Sequence, residues 1–237
     1  ILKEHKILIL NLEVRCGKSH IAHEIAKNYK SVLFITKKKA IQSIWDDYIT
    51  AGHDFNIVVT NYENLHKIEG KYDLVICDES NEKISAFPKP TLNAKRVKNF
   101  VINDLILLTG TLLPESNSQI YHQLWVSNYS PFKRFKNFYA FHRDLGIPEI
   151  VYTSYGQSKS YKNTPYKNIE KLINRLKKDL LIEGNNEVIL ADTGVKLMSK
   201  IHQLSSGTIK FESGNTKITD YSKIVYIKEN FVGKKLA

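Results

Sequence analysis

Five short apolar runs recur in the first half of the chain, and each is followed directly by polar residues. They lie at residues 5–10, 31–36, 56–60, 73–77 and 104–108. Between some of them apolar residues recur at helical spacing, as in 19–29 and in the segment that begins at 37–39. Short buried strands alternating with helices are typical of parallel βαβ units with both sheet faces covered. The pattern predicts an α/β fold with a mostly parallel central sheet flanked by helices.

The pattern changes at Pro131, where the aromatic and basic segment PFKRFKNFYAFHR begins. A stretch rich in Ser, Tyr, Lys and Asn at about 152–168 predicts a loop. An amphipathic helix follows, with its apolar side formed by Ile169, Leu172, Ile173, Leu176 and Leu180. The remaining pattern predicts a strand at 187–191, a helix at 195–204, a small hairpin at 208–219 and a helix near 222–231. We therefore expect a helical C-terminal extension after the sheet.

The first apolar run leads into Gly17-Lys18-Ser19, where a helical pattern begins. A strand, a tight loop and a helix with Gly-Lys-Ser at the turn are typical of a phosphate-binding P-loop. In such a loop backbone N–H groups face an anion, Lys18 reaches the outer phosphates and Ser19 holds Mg²⁺. Leu12 stands where the full pattern has its first glycine, so a chance match stays open.

Two further strand ends carry residues that a nucleotide site needs. Asp78-Glu79 supplies a carboxylate for Mg²⁺ and a second acid to polarise the attacking water, although two acids also cap a following helix. The hydroxyls of Thr109-Gly110-Thr111 fit a γ-phosphate sensor or a link to nucleic acid, and also a plain turn. Open α/β sheets bind ligands at the carboxyl ends of their strands, where all these residues cluster.

The composition of the chain indicates the kind of partner it binds and the compartment in which it works. The chain has 237 residues and a net charge of +11, which favours a polyanionic partner, although lysines spread along a chain also serve solubility. Two cysteines, Cys16 and Cys77, are too few for a disulfide framework or a zinc site, so a reducing cytosol is the simplest setting. No apolar run approaches the ~18 residues of a membrane span.

Five blocks of sequence occur in a fixed order: EVRCGKS, FITKKK, VVTNYE, VICDES and LLTGT. In this order they resemble motifs I, Ia, Ib, II and III of superfamily 2 helicases of the DEAD/DEAH type. Within that superfamily the chain is most similar to the Swi/Snf-like DNA helicases or ATPases of bacteriophages. The similarity continues through ISAFPKP, SQIYHQLWVSNYSPF and DTGVKLMSKIHQLSSGTIKFESG.

The resemblance implies the first RecA-like lobe of a P-loop NTPase that uses ATP and Mg²⁺ and acts on nucleic acid, with DNA expected first. It divides the chain into three regions. Residues 1–130 would form the ATP-binding core, and 131–186 would be an aromatic and basic insertion with an amphipathic helix. Residues 187–237 would end the lobe and lead into a second RecA-like lobe.

The resemblance also implies a role for each motif residue. The residues expected against the ATP phosphates are Arg15, Cys16, Gly17, Lys18 and Ser19. Lys18 and Glu79 would be catalytic, with Glu79 as the base, while Ser19 and Asp78 would hold Mg²⁺. Coupling of nucleotide state to nucleic-acid contact would fall to Thr109, Gly110 and Thr111. The residues expected against the phosphate backbone of one nucleic-acid strand are Thr36, Lys37, Asn61 and Tyr62. Such a contact does not depend on base sequence and is weakened by salt.

Two departures from the family pattern concern the loops that follow the strands. Ser80-Asn81 occupies the usual Ala-His positions of motif II, and Leu112 replaces the usual proline after Thr111. Asparagine forms hydrogen bonds but does not titrate, so the first change bears on coupling and not on metal binding.

The two ends of the chain predict that it is part of a longer protein. The chain starts at Ile1 and ends on FVGKKLA, which resembles the entry to a second lobe, so we expect a fragment of a longer protein. Without the arginine fingers of a second lobe, it would bind ATP weakly and hydrolyse it very slowly. Two alternatives are the motor part of a restriction or defence nuclease and a degenerate P-loop module that only binds nucleic acid. The expected compartment is the cytoplasm, that of the bacterial host for a phage-encoded chain.

Overall fold

The computed structural model describes most of the first 178 residues and short parts of the remainder. The described residues are 1–12, 17–154, 156–178, 181–184, 187–190, 199, 203, 208–211, 216–218, 221 and 225. The chain divides into two compact units, Ile1–Lys178 and Asp179–Ala237. The sequence-based divisions at 130/131 and 186/187 stay predictions of domain organisation.

Six parallel strands form the central sheet of the first unit. In chain order they are β1 (Ile7–Asn11), β2 (Ser31–Thr36), β3 (Asn56–Asn61), β4 (Leu74–Asp78), β5 (Asp104–Thr109) and, after a hairpin, β8 (Lys177–Lys178). Across the sheet the order is β3-β2-β4-β5-β1-β8. One strand, β5, thus separates the strand before Gly17-Lys18-Ser19 from the strand that ends at Asp78.

Helices cover both faces of this sheet. They are α1 (Leu2–His5), α2 (Lys18–Ala26), α3 (Ile41–Thr50), α4 (Ser80–Lys83), α5 (Leu92–Phe100), α6 (Ile120–Trp125), α7 (Phe138–Leu145) and α8 (Tyr166–Leu176). Short 3₁₀ segments occur at Lys38–Ala40, Glu63–Lys67 and Asn117–Gln119. The parallel sheet with flanking helices confirms the predicted α/β fold with a mostly parallel central sheet.

The apolar runs form strands because alternate residues enter two different cores. Ile7, Leu33 and Leu105 face one core, and α5, α6 and α8 pack there. Leu8 and Phe34 face the other core, where α2 and α3 pack. Because side chains alternate across a strand, a sheet covered on both faces needs apolar residues at nearly every position. All five predicted strands are confirmed, with ends that differ by one or two residues.

The prediction of a loop at about 152–168 was wrong over its first part. The strands β6 (Glu149–Thr153) and β7 (Gly156–Ser160) pair antiparallel as a hairpin. Helix α8 then begins at Tyr166, two residues before the predicted loop ends. Its buried residues Ile169, Ile173 and Leu176 confirm the predicted apolar side, but the helix stops at Leu176 and Lys177–Lys178 join β1. The predicted apolar position 180 lies outside the described residues.

The described strands of the second unit form two separate hairpins. β9 (Leu181–Gly184) pairs antiparallel with β10 (Glu187–Leu190), and β11 (Thr208–Lys210) pairs antiparallel with β12 (Thr216–Ile218). These confirm the predicted strand at 187–191 and the predicted hairpin at 208–219. The predicted helices at 195–204 and near 222–231 lie largely outside the described residues. Among the described residues no helix has the length and apolar character needed to cross a membrane.

Candidate functional site

Each of the five long strands of the central sheet ends in a polar residue. Across the sheet these residues are Asn61, Thr36, Asp78, Thr109 and Asn11. The register aligns Thr36 with Asn61 and Asn11 with Thr109. Because the strands are parallel, these residues form one row along the carboxyl edge of the sheet, where ligands of open α/β folds bind. The sequence-based clustering of polar strand ends is therefore present in the structure.

Gly17 begins the helix that follows β1. It lies in the left-handed region at φ +69°, directly before the first residue of α2, and a Cβ at this position would meet nothing within 4 Å. The backbone is strained for any other residue but open on its outer side. At the other end of the loop, the Leu12 amide donates to the Thr109 carbonyl at 3.0 Å, which ties the loop to β5. Arg15 and Cys16 lie outside the described residues.

Lys18 and Ser19 both contact protein atoms. Lys18 Nζ donates to the Leu12 carbonyl at 3.0 Å, across the base of the loop. Ser19 Oγ donates to Asp47 Oδ2 on α3 at 2.6 Å, and His20 Nε2 lies 3.5 Å from Asp47 Oδ1. A phosphate or magnesium ligand at these two side chains would have to replace those contacts.

Asp78, at the end of β4, is held by side chains from the ends of β2 and β3. Asp78 Oδ2 accepts a hydrogen bond from Thr36 Oγ1 at 2.7 Å, and the Asp78 carbonyl accepts one from the Tyr62 hydroxyl at 2.7 Å. Glu79 is a non-glycine residue in the left-handed region, at φ 50°. Such backbone strain is concentrated at functional sites.

Burial, followed by the negative charge of Asp78, raises the pKa of the Glu79 carboxyl above its usual range. The positive charges of Lys37 and Lys18 oppose this rise. Lys18 of the loop and Glu79 after β4 are therefore electrostatically coupled. A carboxyl with a raised pKa near a positive charge is typical of a residue placed to accept a proton.

The turn after β5 is closed by its own residues. Thr109 Oγ1 donates to the Thr111 carbonyl at 3.0 Å and accepts from the Thr111 amide at 3.2 Å. Gly110 lies against the loop after β1, because a Cβ on it would be 3.8 Å from the Leu12 carbonyl oxygen. Of the three residues predicted to couple nucleotide state to nucleic acid, Thr109 and Gly110 thus contact the start of the loop, and Thr111 is bonded to Thr109.

A buried glutamine joins the ends of β4 and β5. Gln123 lies on α6 with no exposed surface. Its Oε1 accepts from Ser80 Oγ at 2.8 Å, and its Nε2 donates to the Leu112 carbonyl at 2.9 Å. Ser80 follows Glu79, and Leu112 follows Thr111, so this side chain fixes the distance between the two motifs. Nothing in the local sequence marks Gln123, because its contact with Ser80 joins residues 43 positions apart.

We expect Gln123→Leu to lower the free energy of unfolding by about 2–5 kcal/mol, because it leaves a buried hydroxyl and a buried carbonyl without a partner. Leucine has a similar volume, so a cavity contributes little. Urea denaturation measures the change, and the exposed Gln42→Leu on α3 is the control, expected within about 0.5 kcal/mol of wild type. Equal stability of Gln123→Leu and wild type would contradict the assigned contacts.

Three of the residues predicted to contact nucleic acid have buried side chains. Thr36 and Tyr62 are fully buried and bond to Asp78, while Asn61 is 3% exposed and accepts from the Asn64 amide at 2.8 Å. Lys37 is partly exposed and pairs with Glu82 at 2.9 Å. The contact with nucleic acid stays a prediction for all four, while three of them also position Asp78 or shape the loop after β3.

An open cleft of about 740 Å³ lies beside these residues. Its wall contains Lys37, Lys38, Lys39, Asn61, Glu63, Asn64, Glu82 and Lys83. Lys37 and Lys83 pair with Glu82 and Glu63. Within the described part of the chain, no ion pair involves Lys38 or Lys39. The cleft therefore combines exposed positive charge with acids that partly neutralise it.

The side chains present fit a nucleotide phosphate with Mg²⁺. The first-turn amides of α2 lack intrahelical partners by geometry, and open space adjoins Gly17. Asn11 Oδ1, at the start of the loop, is buried and has no hydrogen-bond partner in the described structure. The described residues contain no group of three or more His, Cys, Asp or Glu side chains that could hold a metal ion. A magnesium ion held by one hydroxyl, one carboxylate, phosphates and water needs no such group.

Cys77 and Asp47 are two further residues near the site. Cys77 precedes Asp78, is fully buried, and has its pKa raised to about 12 by burial. It is therefore a thiol at neutral pH and packs as a small apolar residue. Asp47, which accepts from Ser19, was missed because nothing in the sequence shows that α3 packs beside α2.

Comparisons with known proteins give structural neighbours. No family model and no curated protein matches the chain. The chain is similar to the SWI2/SNF2 ATPase core of Sulfolobus solfataricus bound to double-stranded DNA, with 15% identity over 60% of this chain and 35% of that chain, at a TM-score of 0.46. The same core domain without DNA gives 15% identity, 61% and 35% coverage and a TM-score of 0.48.

A third neighbour is the ATP-dependent Type ISP restriction-modification enzyme LlaBIII bound to DNA. It shares 14% identity over 47% of this chain and 12% of that chain, at a TM-score of 0.32. The chain thus spans about a third of the two SWI2/SNF2 structures and a smaller share of the restriction enzyme.

Proposed function

We propose that the chain is the ATP-binding lobe of a nucleic-acid-dependent ATPase of the superfamily 2, Swi/Snf-like type. One observation carries the proposal: Gly17-Lys18-Ser19, Asp78-Glu79 and Thr109-Gly110-Thr111 follow β1, β4 and β5 at the same edge of one parallel sheet. A Gly-Lys-Ser turn occurs by chance in many chains, but its placement beside two acids and a threonine turn fits a nucleotide site.

The roles follow from chemistry and position. The amides at the start of α2 and Lys18 bind the phosphates, together with Arg15 and Cys16 of the loop. Ser19 and Asp78 hold Mg²⁺, since a carboxylate has acceptor positions beyond the one that Thr36 uses. Glu79 orients a water and accepts its proton. Bound Mg²⁺ supplies neutralisation of the phosphate charge.

ATP binding requires two local rearrangements. Lys18 Nζ leaves the Leu12 carbonyl, and Ser19 Oγ leaves Asp47. The first frees a carbonyl that lies against Gly110. The second changes the contact between α2 and α3. The loop after β1 and the turn after β5 therefore move together when the phosphates bind.

Coupling to nucleic acid runs through the other strand ends. Thr36 and Tyr62 bond to Asp78, and Lys37 and Asn61 follow at the cleft. A shift of Asp78 on nucleotide binding changes this part of the surface. Thr109, Gly110 and Thr111 transmit the change across β5, with Gln123 fixing their distance from Ser80.

We further propose that a second RecA-like lobe completes the catalytic site of the whole protein. Arginine residues supplied from a second lobe contribute about 10³–10⁵ in rate in related phosphoryl-transfer enzymes. Without that second lobe, the chain of residues 1–237 is expected to hydrolyse ATP slowly. The proposed nucleic acid is DNA, and the proposed action is translocation on DNA or its remodelling. The proposed compartment is the cytoplasm, which is that of a bacterial host if a phage encodes the chain.

The experiment is a single-turnover measurement of phosphate release, with the chain in excess over ATP, with and without duplex DNA at several salt concentrations. DNA should raise the rate, and the stimulation should decline as salt rises, because phosphate contacts release counterions. A rate that is measurable but indifferent to DNA would overturn the motor function.

A second candidate function is a module that binds nucleic acid without turning over ATP. The contacts of Lys18 with Leu12 and of Ser19 with Asp47 favour it, since both side chains already have protein partners. In the same experiment this candidate predicts DNA binding with no phosphate release at any salt concentration.

A further inference from the structure

The β6–β7 hairpin exposes apolar side chains on both of its faces. Ile150, Val151 and Tyr152 on β6 are 57%, 41% and 76% exposed. On β7, residues Gly156–Lys159 are exposed and Ser160 is partly buried. An isolated two-stranded hairpin is marginally stable in water, and exposed apolar residues on both faces do not help it. This part of the chain has the composition of a surface that is covered by a partner.

A cleft of about 520 Å³ lies between this hairpin and α7. Its wall joins Tyr139, His142 and Arg143 of α7 to Ile150, Lys159 and Tyr161 of the hairpin region. Tyr139 is 43% exposed. Ile150 and Lys159 are directly opposite each other across the hairpin, and Tyr152 follows on the same face. The cleft and the adjoining hairpin face thus combine two exposed tyrosine rings with two cations.

The charge of this region is strongly positive. Residues 131–178 contain eleven Lys and Arg and three acids, a surplus of eight out of +11 for the chain. In the described structure Arg143 and Lys159 take part in no ion pair, whereas the lysines of the cleft beside β3 are partly neutralised. The one acid in the hairpin cleft is Glu149. A negatively charged partner fits this surface better than a protein face of mixed charge.

The base of the hairpin is rigidly fixed. Ser118 Oγ bonds to the Tyr161 carbonyl at 2.5 Å and to Thr164 Oγ1 at 2.7 Å, and Asn117 Nδ2 donates to the Thr164 carbonyl at 2.9 Å. The Tyr161 ring packs edge-on against His142, with centroids 5.2 Å apart, and against the stacking ring Tyr139, with centroids 5.3 Å apart. A fixed aromatic platform loses little entropy when a flat ring stacks on it.

We propose that this cleft and the adjoining face of β6 bind single-stranded nucleic acid, with bases stacked on Tyr139 in the cleft and on Tyr152 beside it, and with phosphates held by Arg143 and Lys159. Exposed aromatic rings beside unpaired cations are the two elements from which single-strand sites are built. Duplex DNA hides the faces of its bases inside the stack and offers only phosphates to the two cations. The cleft therefore prefers a single strand over a duplex of equal length.

The proposal concerns binding and does not depend on ATP hydrolysis. The binding assay contains no nucleotide, so a chain without ATPase activity that still binds the single strand would leave the inference intact. A wild-type chain that hydrolyses ATP faster with DNA but does not bind the single strand would overturn the inference and leave the proposed function standing.

The test is fluorescence anisotropy with a labelled oligothymidylate of about 15 nucleotides, compared with a duplex of that length. Tyr152→Ala should weaken binding of the single strand by roughly 10-fold, and Tyr139→Ala with Tyr152→Ala by more, since stacking on each ring contributes to affinity. Tyr129→Ala is the matched control: Tyr129 is 50% exposed, does not line the cleft and is not part of the β6–β7 hairpin. Lys159→Ala should lower the slope of log affinity against log salt by about 0.7, and the exposed Lys71→Ala should lower it less.

Photo-cross-linking of an oligonucleotide that carries 5-iodouracil locates the site directly. The expected adducts are on Tyr152 or Tyr139, identified by mass spectrometry of the digested chain. Unfolding midpoints of all variants establish that they fold. Adducts only outside 139–161, or wild-type single-strand affinity in the double variant, would overturn the proposal and leave the hairpin to a protein partner. A duplex affinity that falls in the double variant as much as the single-strand affinity does would also overturn the preference for a single strand at this site.

Discussion

Replacing Glu79 by glutamine is expected to lower the rate of ATP hydrolysis by about 10²–10⁴-fold, because a general base contributes on that scale. Glutamine keeps the size and hydrogen-bonding capacity of the side chain but does not accept a proton at neutral pH. The affinity for ATP should change little, since the proposed role of Glu79 concerns the attacking water and not the binding of the nucleotide. Loss of turnover with retained binding is the signature of the proposed role.

The surroundings of Glu79 support this expectation. Burial and Asp78 raise the pKa of its carboxyl, and Lys37 and Lys18 lower it again, so charges from β4, the loop after β1 and the end of β2 meet there. The left-handed backbone at φ 50° fixes the residue at the end of β4. Structural acids on a protein surface have no need of either feature.

Single-turnover phosphate release and nucleotide titration on the same preparation separate the two effects. The control is Glu69→Gln, an exposed acid before β4 at the opposite edge of the sheet, expected at the wild-type rate. Wild-type hydrolysis in Glu79→Gln would show that another group accepts the proton.

Lys18→Ala should weaken the binding of MgATP by about 10–100-fold, since a hydrogen bond to a charged group contributes about 1.5–3 kcal/mol. The loop itself should remain folded. Lys18 is the first residue of α2, and the contact that the substitution removes, with the Leu12 carbonyl, is one that ATP would replace in any case. Alanine also has the highest helix propensity, so the start of α2 is not weakened.

The central sheet was predictable because its strands obey one rule. Each is apolar at nearly every position and ends in a polar residue, as in the run from Leu74 to Asp78. Two covered faces demand the first property, and an exposed carboxyl edge permits the second. The motif residues were predictable for the same reason, since they come directly after those runs.

The β6–β7 hairpin was not predictable from the same signal. Its residues are mostly exposed, so no apolar periodicity marks it, and its Ser, Tyr, Gly and Lys content is that of a loop. Pairing between neighbouring strands stabilises it instead. The two residues Lys177–Lys178 were likewise assigned to a helix, because a lysine pair carries no strand signal and only β1 makes it a strand.

The orientation of side chains also lies beyond the sequence. Thr36 and Tyr62, for which contact with nucleic acid stays a prediction, have fully buried side chains that bond to Asp78, and the local sequence does not show this. Asp47 and Gln123 contact motif residues 28 and 43 positions away. Such contacts depend on which helices become neighbours in the fold, and local patterns do not encode this.

Titration of the chain with MgATP by isothermal calorimetry tests the central claim, that Gly17-Lys18-Ser19 binds nucleotide. The comparison is between wild type, Lys18→Ala and Lys27→Ala. Lys27 is the matched control, since it lies at the other end of α2, is exposed and pairs with Glu24. If the turn binds nucleotide, wild type and Lys27→Ala bind MgATP saturably, and the affinity of Lys18→Ala for MgATP is at least about tenfold weaker. Equal affinity in all three, or no binding by wild type, would contradict it.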